Sequence, residues 1–182
     1  GIAREGILST LEQMDSFGLR NFGDYTVSGS YGKGVEYWGN NQHYQAYGYL
    51  VQYLRTQDIK WWHLAEAANR HMMDIDFVKF HPFREKYNGT NHGKGQCGPP
   101  HTHVCAEPIL DYGFAPRPAL LYYHLTGDSW AKEVAFMGIE AQRNFLFQEV
   151  VGPLKVMNPF RLDFLSKGGR PTSWVLKGLL AG

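Results

Sequence analysis

The sequence predicts an all-α domain of antiparallel helical hairpins, and three observations carry that expectation. Helical stretches with a single apolar stripe recur along the chain. One helix–turn–helix pattern appears twice. Glycine and aromatic residues collect in long irregular loops between the helical stretches, not within them.

Residues 1–40 open with a short helix from Ile2 to Met14, whose Ile2, Ile7, Leu8, Leu11 and Met14 recur at roughly helical spacing. The stretch FGLRNFGDYTVSGSYGKGVEYWG follows and reads as loop, with a short strand around Tyr25 to Val27 as the alternative. Residues 41–76 form the first hairpin. One helix runs from about Asn41 to Arg55 with Tyr47, Leu50, Val51 and Leu54 on a stripe, and a second runs from about Ile59 to Met73. On the second, Trp62, Ala65, Ala68, Asn69 and Met72 share a face. Thr56-Gln57-Asp58 is too short a connection for anything but antiparallel neighbours. Residues 77–114 are a loop, 115–150 a second hairpin, and 151–182 a linker with the start of a third.

The repeat is explicit in QYLRTQDIKWWHLAEAA and YYHLTGDSWAKEVAFMG, where Thr56 falls on Thr126, Asp58 on Asp128 and Ala65 on Ala135. In both, the Asp is placed to cap the second helix through its carboxylate. RPTSWVLKGLLAG begins the pattern a third time. Recurrence of one supersecondary unit marks a helical array or toroid. A closed ring needs more hairpins than this chain holds, so the sequence reads as part of a larger protein or as a subunit that self-associates.

Composition narrows the function. Hydrophobic residues make up 43% and charged residues 19%, which suits a packed domain rather than disorder. A net charge of +1 argues against nucleic acid as partner. No stretch approaches the apolar length of a membrane span, and Gly1-Ile2-Ala3-Arg4-Glu5 lacks the basic start of a secretion signal. The aromatic share, 15%, suits either an aromatic core or stacking of sugar rings.

The most unusual segment is GTNHGKGQCGPPHTHVC, from Gly89 to Cys105. His92, His101 and His103 could serve as catalytic or sugar-binding groups. Cys97, His101, His103 and Cys105 could instead hold a divalent metal such as tetrahedral zinc, or the two cysteines could join in a disulfide. A plain structural loop is the remaining alternative.

GLRNFGDY, WGNNQHYQAYGYLVQYLRTQDIKWWHLAEAANRHMMDIDFVKFH and ALLYYHLTGDSWAKEVA together resemble the α/α-toroid domain of bacterial exo-rhamnogalacturonan lyase-like proteins. The resemblance spans roughly Phe17 to Ala135, with an echo at Thr172 to Leu180. It implies an extracellular or periplasmic protein, without an obligate cofactor, that cleaves an acidic pectin- or rhamnogalacturonan-type polysaccharide by β-elimination. That chemistry needs a group to neutralise the uronate carboxylate, a base for the C5 proton and an acid for the leaving oxygen. The chain departs from the family pattern at Gln42-His43-Tyr44 and at Ala115-Pro116-Arg117-Pro118.

The candidate catalytic residues are therefore His43, Tyr44, His92, His101 and His103, and the candidate substrate-binding residues are Trp38, Asn40, Asn41, Arg70 and Arg117. Asn40 and Asn41 have a competing use as helix caps. A tyrosine base needs a neighbouring cation, which Arg70 or Arg117 would supply. His71 suits the negative end of its helix. Two other functions remain open. A glycoside hydrolase would draw a carboxylate pair from Asp24, Glu36, Asp74, Asp76 and Glu107. A non-catalytic module would bind glycans or assemble with copies of itself.

Overall fold

The structure, a computed structural model, describes residues 23–24, 26–28, 36–38, 41, 44–82, 85, 88–92, 108–109 and 116–151. For 26–28, 36–38, 91–92, 108–109 and 144–151 it describes the backbone alone. This part is mostly helical, as expected of an all-α chain. The chain divides into two units, one comprising residues 1–76 and 92–107 and the other 77–91 and 108–182. Among the described residues no helix is long and apolar enough to cross a membrane.

In the first unit, β1 (Thr26–Ser28) pairs antiparallel with β2 (Glu36–Trp38), in the register Thr26 to Trp38, Val27 to Tyr37 and Ser28 to Glu36. The sequence favoured loop here because of its glycines. Those glycines fall between and beside the strands, which consist largely of β-branched and aromatic residues that suit a pleated backbone.

Helix α1 (Gln45–Thr56) begins four residues later than its pattern predicts. Tyr44, not an asparagine, occupies the N-cap, with φ 61°, ψ 34° and no side-chain cap bond. The buried side is Ala46, Tyr49 and Leu50, while Leu54 is 48% exposed. The apolar stripe is thus rotated from the expected Tyr47–Leu50–Val51–Leu54, with Ala46 and Tyr49 taking the buried places beside Leu50. Helix α2 (Ile59–His71) buries Leu64, Ala65, Ala68, Asn69 and His71. These small side chains let the backbones approach, so Asn69 Nδ2 donates to Ala46 O at 3.4 Å as well as to Ala65 O at 2.7 Å. Near the turn, Tyr53 stacks against Trp62 at 5.3 Å. Contacts that move away from the turn on both helices together define an antiparallel pair. After His71 the chain does not end its helix at Met73 but continues through a π-helical turn, Met72–Asp76.

A second sheet is made of β3 (Phe77–Val78), β4 (Thr90–His92) and β5 (Pro108–Ile109), ordered β3-β4-β5, with Phe77 opposite Asn91 and Val78 opposite Thr90, all but His92 in the second unit. Gly89 turns the chain into β4 at φ +80°, donating to Val78 O at 2.8 Å. A Cβ there would lie 2.3 Å from Met137 O, so only glycine fits. Helix α3 (Pro116–Thr126) begins on a proline, which loses nothing where helix amides have no partner. It packs on α4 (Ser129–Val151), and Ala119, Tyr122, Ala131, Val134, Ala135 and Ala141 of the two helices are buried.

The repeat read from the sequence holds bond for bond in the two turns. Thr56 Oγ1 donates to Gln52 O and Thr126 Oγ1 to Tyr122 O, each at 2.7 Å. The Asp58 and Asp128 amides return to those hydroxyls at 3.3 and 3.1 Å. Asp58 Oδ1 then accepts from Lys60 N at 3.0 Å and Asp128 Oδ1 from Trp130 N at 2.9 Å, the caps that the spacing predicts. Between them Gln57 and Gly127 both take left-handed backbones, φ 53° and φ 74°, and both amides close on the carbonyl four residues back at 2.7 Å.

Candidate functional site at the open end of the first hairpin

Because α1 and α2 are antiparallel, the start of α1 and the end of α2 lie at the same end, away from the Thr-x-Asp turn. That open end gathers Asp24, Asn41, Tyr44, Arg70, His71 and Asp76.

Its floor is a buried polar cluster. His71 Nε2 is 3.2 Å from Asp76 Oδ1 and 3.9 Å from Asp24 Oδ2, and all three side chains are 0% exposed. The π turn makes the first contact. His71 and Asp76 are five apart, the period at which that wider helix places residues over one another. Asp24 is delivered by Gly23, at φ +78°, where an added Cβ would lie 2.3 Å from Ala67 O. Asp24 Oδ1 in turn accepts from Asn41 N at 3.0 Å. Asn41, itself left-handed at φ 48°, sends Nδ2 to Ala68 O at 3.5 Å. The carbonyl oxygens of Asn41 and Asn69 are buried and take no hydrogen bond among the described residues. Tyr49, on α1, is buried as well. Burial holds its hydroxyl above the usual value of 10.0 and the nearby Asp24 charge adds to that, while a hydrogen bond from Gln45 at 2.5 Å opposes it. Tyr49 is a neutral phenol at physiological pH and no candidate base.

At the same end Tyr44 and Arg70 are half-buried. Tyr44 packs edge-on against Tyr47 at 6.5 Å. A left-handed backbone is unusual for so bulky a residue, and such strain collects where function requires it. Trp61 and Trp62 lie partly buried against Tyr49 and Tyr53, so neither is a free stacking platform.

The predicted site residues fare differently. Tyr44, Asn41 and Arg70 come together at this end. Asn41, however, is 2% exposed and turned toward Ala68 O, and Tyr44 stands at the helix N-cap instead of it. His71 is no mere helix-end charge, being bonded to Asp76. As a hydrolase pair Asp74 and Asp76 are divided by the π turn, the first exposed and the second fully buried; Asp24 is equally buried. Arg117 sits in the first turn of α3, in the other unit. Trp38 ends β2 and His92 ends β4. Asn40, His43, Cys97, His101, His103, Cys105 and Glu107 lie outside the described residues, and with them the zinc and disulfide alternatives. Among the described residues no group of three or more His, Cys, Asp or Glu side chains is arranged to hold a metal.

Sequence reasoning missed Asp24 as the partner of His71. The available signals were the Gly23-Asp24 pair and the five-residue step from His71 to Asp76. Comparison with protein-family models, with curated proteins and with solved structures returns no match to this chain.

Proposed function

We propose that the two hairpins are units of an α/α toroid and that the protein cleaves an acidic polysaccharide by β-elimination. The observation that carries this reading is the left-handed backbone of Tyr44 at the start of α1, with Arg70 near the end of α2 at the same end of the hairpin. The matching turns support the toroid part, since recurrence of one helix–turn–helix unit is the mark of a helical array.

In this reading Arg70 neutralises the uronate carboxylate, which acidifies the proton on C5. His43 or Tyr44 takes that proton. The electron pair forms the C4–C5 double bond as the C4–O bond breaks, and the leaving oxygen receives a proton from the other member of the pair. The buried cluster below fixes the backbone that presents Tyr44. A retaining or inverting hydrolase would need two accessible carboxylates, and Asp24 and Asp76 are both sealed against His71.

The test is the full chain mixed with pectic, rhamnogalacturonan and other acidic glycans, read by the ultraviolet absorbance of unsaturated uronate. Absorbance that grows with time supports the lyase, in an extracellular or periplasmic setting. New reducing ends without absorbance would mean hydrolysis, and saturable binding with neither signal would mean a glycan-binding module.

A further inference from the structure

The connection between β3 and β4 holds a reactive pair that plays no part in β-elimination. The sequence contains a single Asn-Gly step, Asn88-Gly89, and two structural needs place it here. Gly89 enters β4 at φ +80°, where a Cβ would meet Met137 O at 2.3 Å and Ala141 Cβ at 2.8 Å, so the position admits only glycine. Asn88 supplies a side-chain carbonyl. Its Oδ1 accepts from His81 N at 2.7 Å, and its own amide donates to Glu85 O at 2.9 Å. Asparagine followed by glycine is the dipeptide whose side chain and backbone react with each other most readily, because no Cβ hinders the glycine nitrogen.

We infer that Asn88 is a deamidation site that the folded second unit holds shut and that opening of the β3–β4 connection releases. In the reaction Gly89 N loses its proton and attacks Asn88 Cγ. The new N–Cγ bond closes a cyclic succinimide, the Cγ–Nδ2 bond breaks, and Nδ2 leaves as ammonia. Water then adds to either imide carbonyl and opens the ring to aspartate or isoaspartate. The balance is amide plus water giving carboxylate plus ammonia. The inference stands apart from the glycan reading, because peptide mass and stability report it without any substrate.

The fold restrains both partners in that attack. Gly89 N donates to Val78 O at 2.8 Å, which holds the nucleophile beside the β3–β4 ladder. The bond from His81 N fixes the Asn88 carbonyl that has to swing over Gly89 N. Ring closure requires both bonds to break, so the folded rate tracks the fraction of time this connection is open. The isoaspartate product is a one-way loss. It carries the main chain through its Cβ and so adds a carbon ahead of Gly89, whose backbone already lies against Met137 O on α4. That longer chain cannot keep Gly89 both on Val78 O and against α4. Aspartate, by contrast, still offers an oxygen to His81 N.

The experiment ages the full chain in mildly alkaline buffer, folded in one arm and unfolded in guanidinium chloride in the other, and follows Asn88 by peptide mass mapping. Asn88 should convert at least about tenfold more slowly in the folded arm. Chain aged in denaturant and returned to buffer should show a lower Tm in proportion to its isoaspartate content, whereas Asn88→Asp should unfold near the wild-type Tm. Conversion as fast in the folded arm as in denaturant, or none at Asn88 in denaturant, would overturn the inference. So would an isoaspartate-bearing chain with the wild-type Tm, or an Asn88→Asp chain destabilised as much as the isoaspartate one.

Discussion

Replacing Gln57 with glycine stabilises the first hairpin if the two turns are equivalent. Gln57 holds φ 53°, ψ 19° at the end of α1, where Gly127 holds φ 74° at the end of α3. A left-handed backbone costs a side-chain-bearing residue about 1–2 kcal/mol. Glycine returns about 0.4–1 kcal/mol of that through the greater freedom of the unfolded chain. The net gain for Gln57→Gly is therefore about 0.5–1 kcal/mol, which in a chain of this length raises Tm by about 1–4 °C. Gly127→Ala is the mirror experiment. No atom lies within 4 Å of a Cβ added at Gly127, so any loss there is purely conformational and should match the gain at Gln57 in size. Urea unfolding with an unchanged m-value reads both changes as shifts in midpoint. A Gln57→Gly protein that is less stable than wild type, or a Gly127→Ala protein that is more so, would refute the reasoning.

The remaining predictions concern single contacts. Gly23→Ala combines a left-handed position with a Cβ 2.3 Å from Ala67 O, and should lower stability by at least about 2 kcal/mol in the same unfolding assay. Asp58→Ala and Asp128→Ala each remove a helix cap and should cost about 1 kcal/mol apiece; an effect below a few tenths would show the caps to be idle. Tyr49 should ionise above the usual value of 10.0 in an alkaline absorbance titration, a late phase that Tyr49→Phe removes. Its raised pKa stabilises the folded state below about pH 10, and that contribution fades as pH climbs through the folded value.

The hairpins were legible because their signals are local. Thr56-x-Asp58 and Thr126-x-Asp128 encode their turns within three residues, and Ala65, Ala68 and Asn69 mark the buried face of α2 by spacing alone. The start of α1 was not legible. Asn40-Asn41 looks like a cap, but Asn41 is claimed by Asp24, seventeen residues away in sequence, and the helix begins only after Tyr44. The ribbon of β1 and β2 was hidden by the glycines around it. For the site, Tyr44 and Arg70 were named from a resemblance and their common end follows from the antiparallel pairing. The Asp24–His71–Asp76 cluster escaped notice because its contacts depend on a π turn, and an α-helical period sends His71 and Asp76 to different faces.

The central claim is that the open end of the first hairpin does acid–base chemistry on a uronate chain. Tyr44→Phe tests it most directly, because it keeps the ring against Tyr47 and removes one hydroxyl. In the unsaturated-product assay the account predicts that the wild type turns over an acidic glycan and that Tyr44→Phe, folded to the same Tm, loses at least about a hundredfold in rate. Undiminished turnover by Tyr44→Phe, or none from the folded wild type on any acidic glycan, would contradict it.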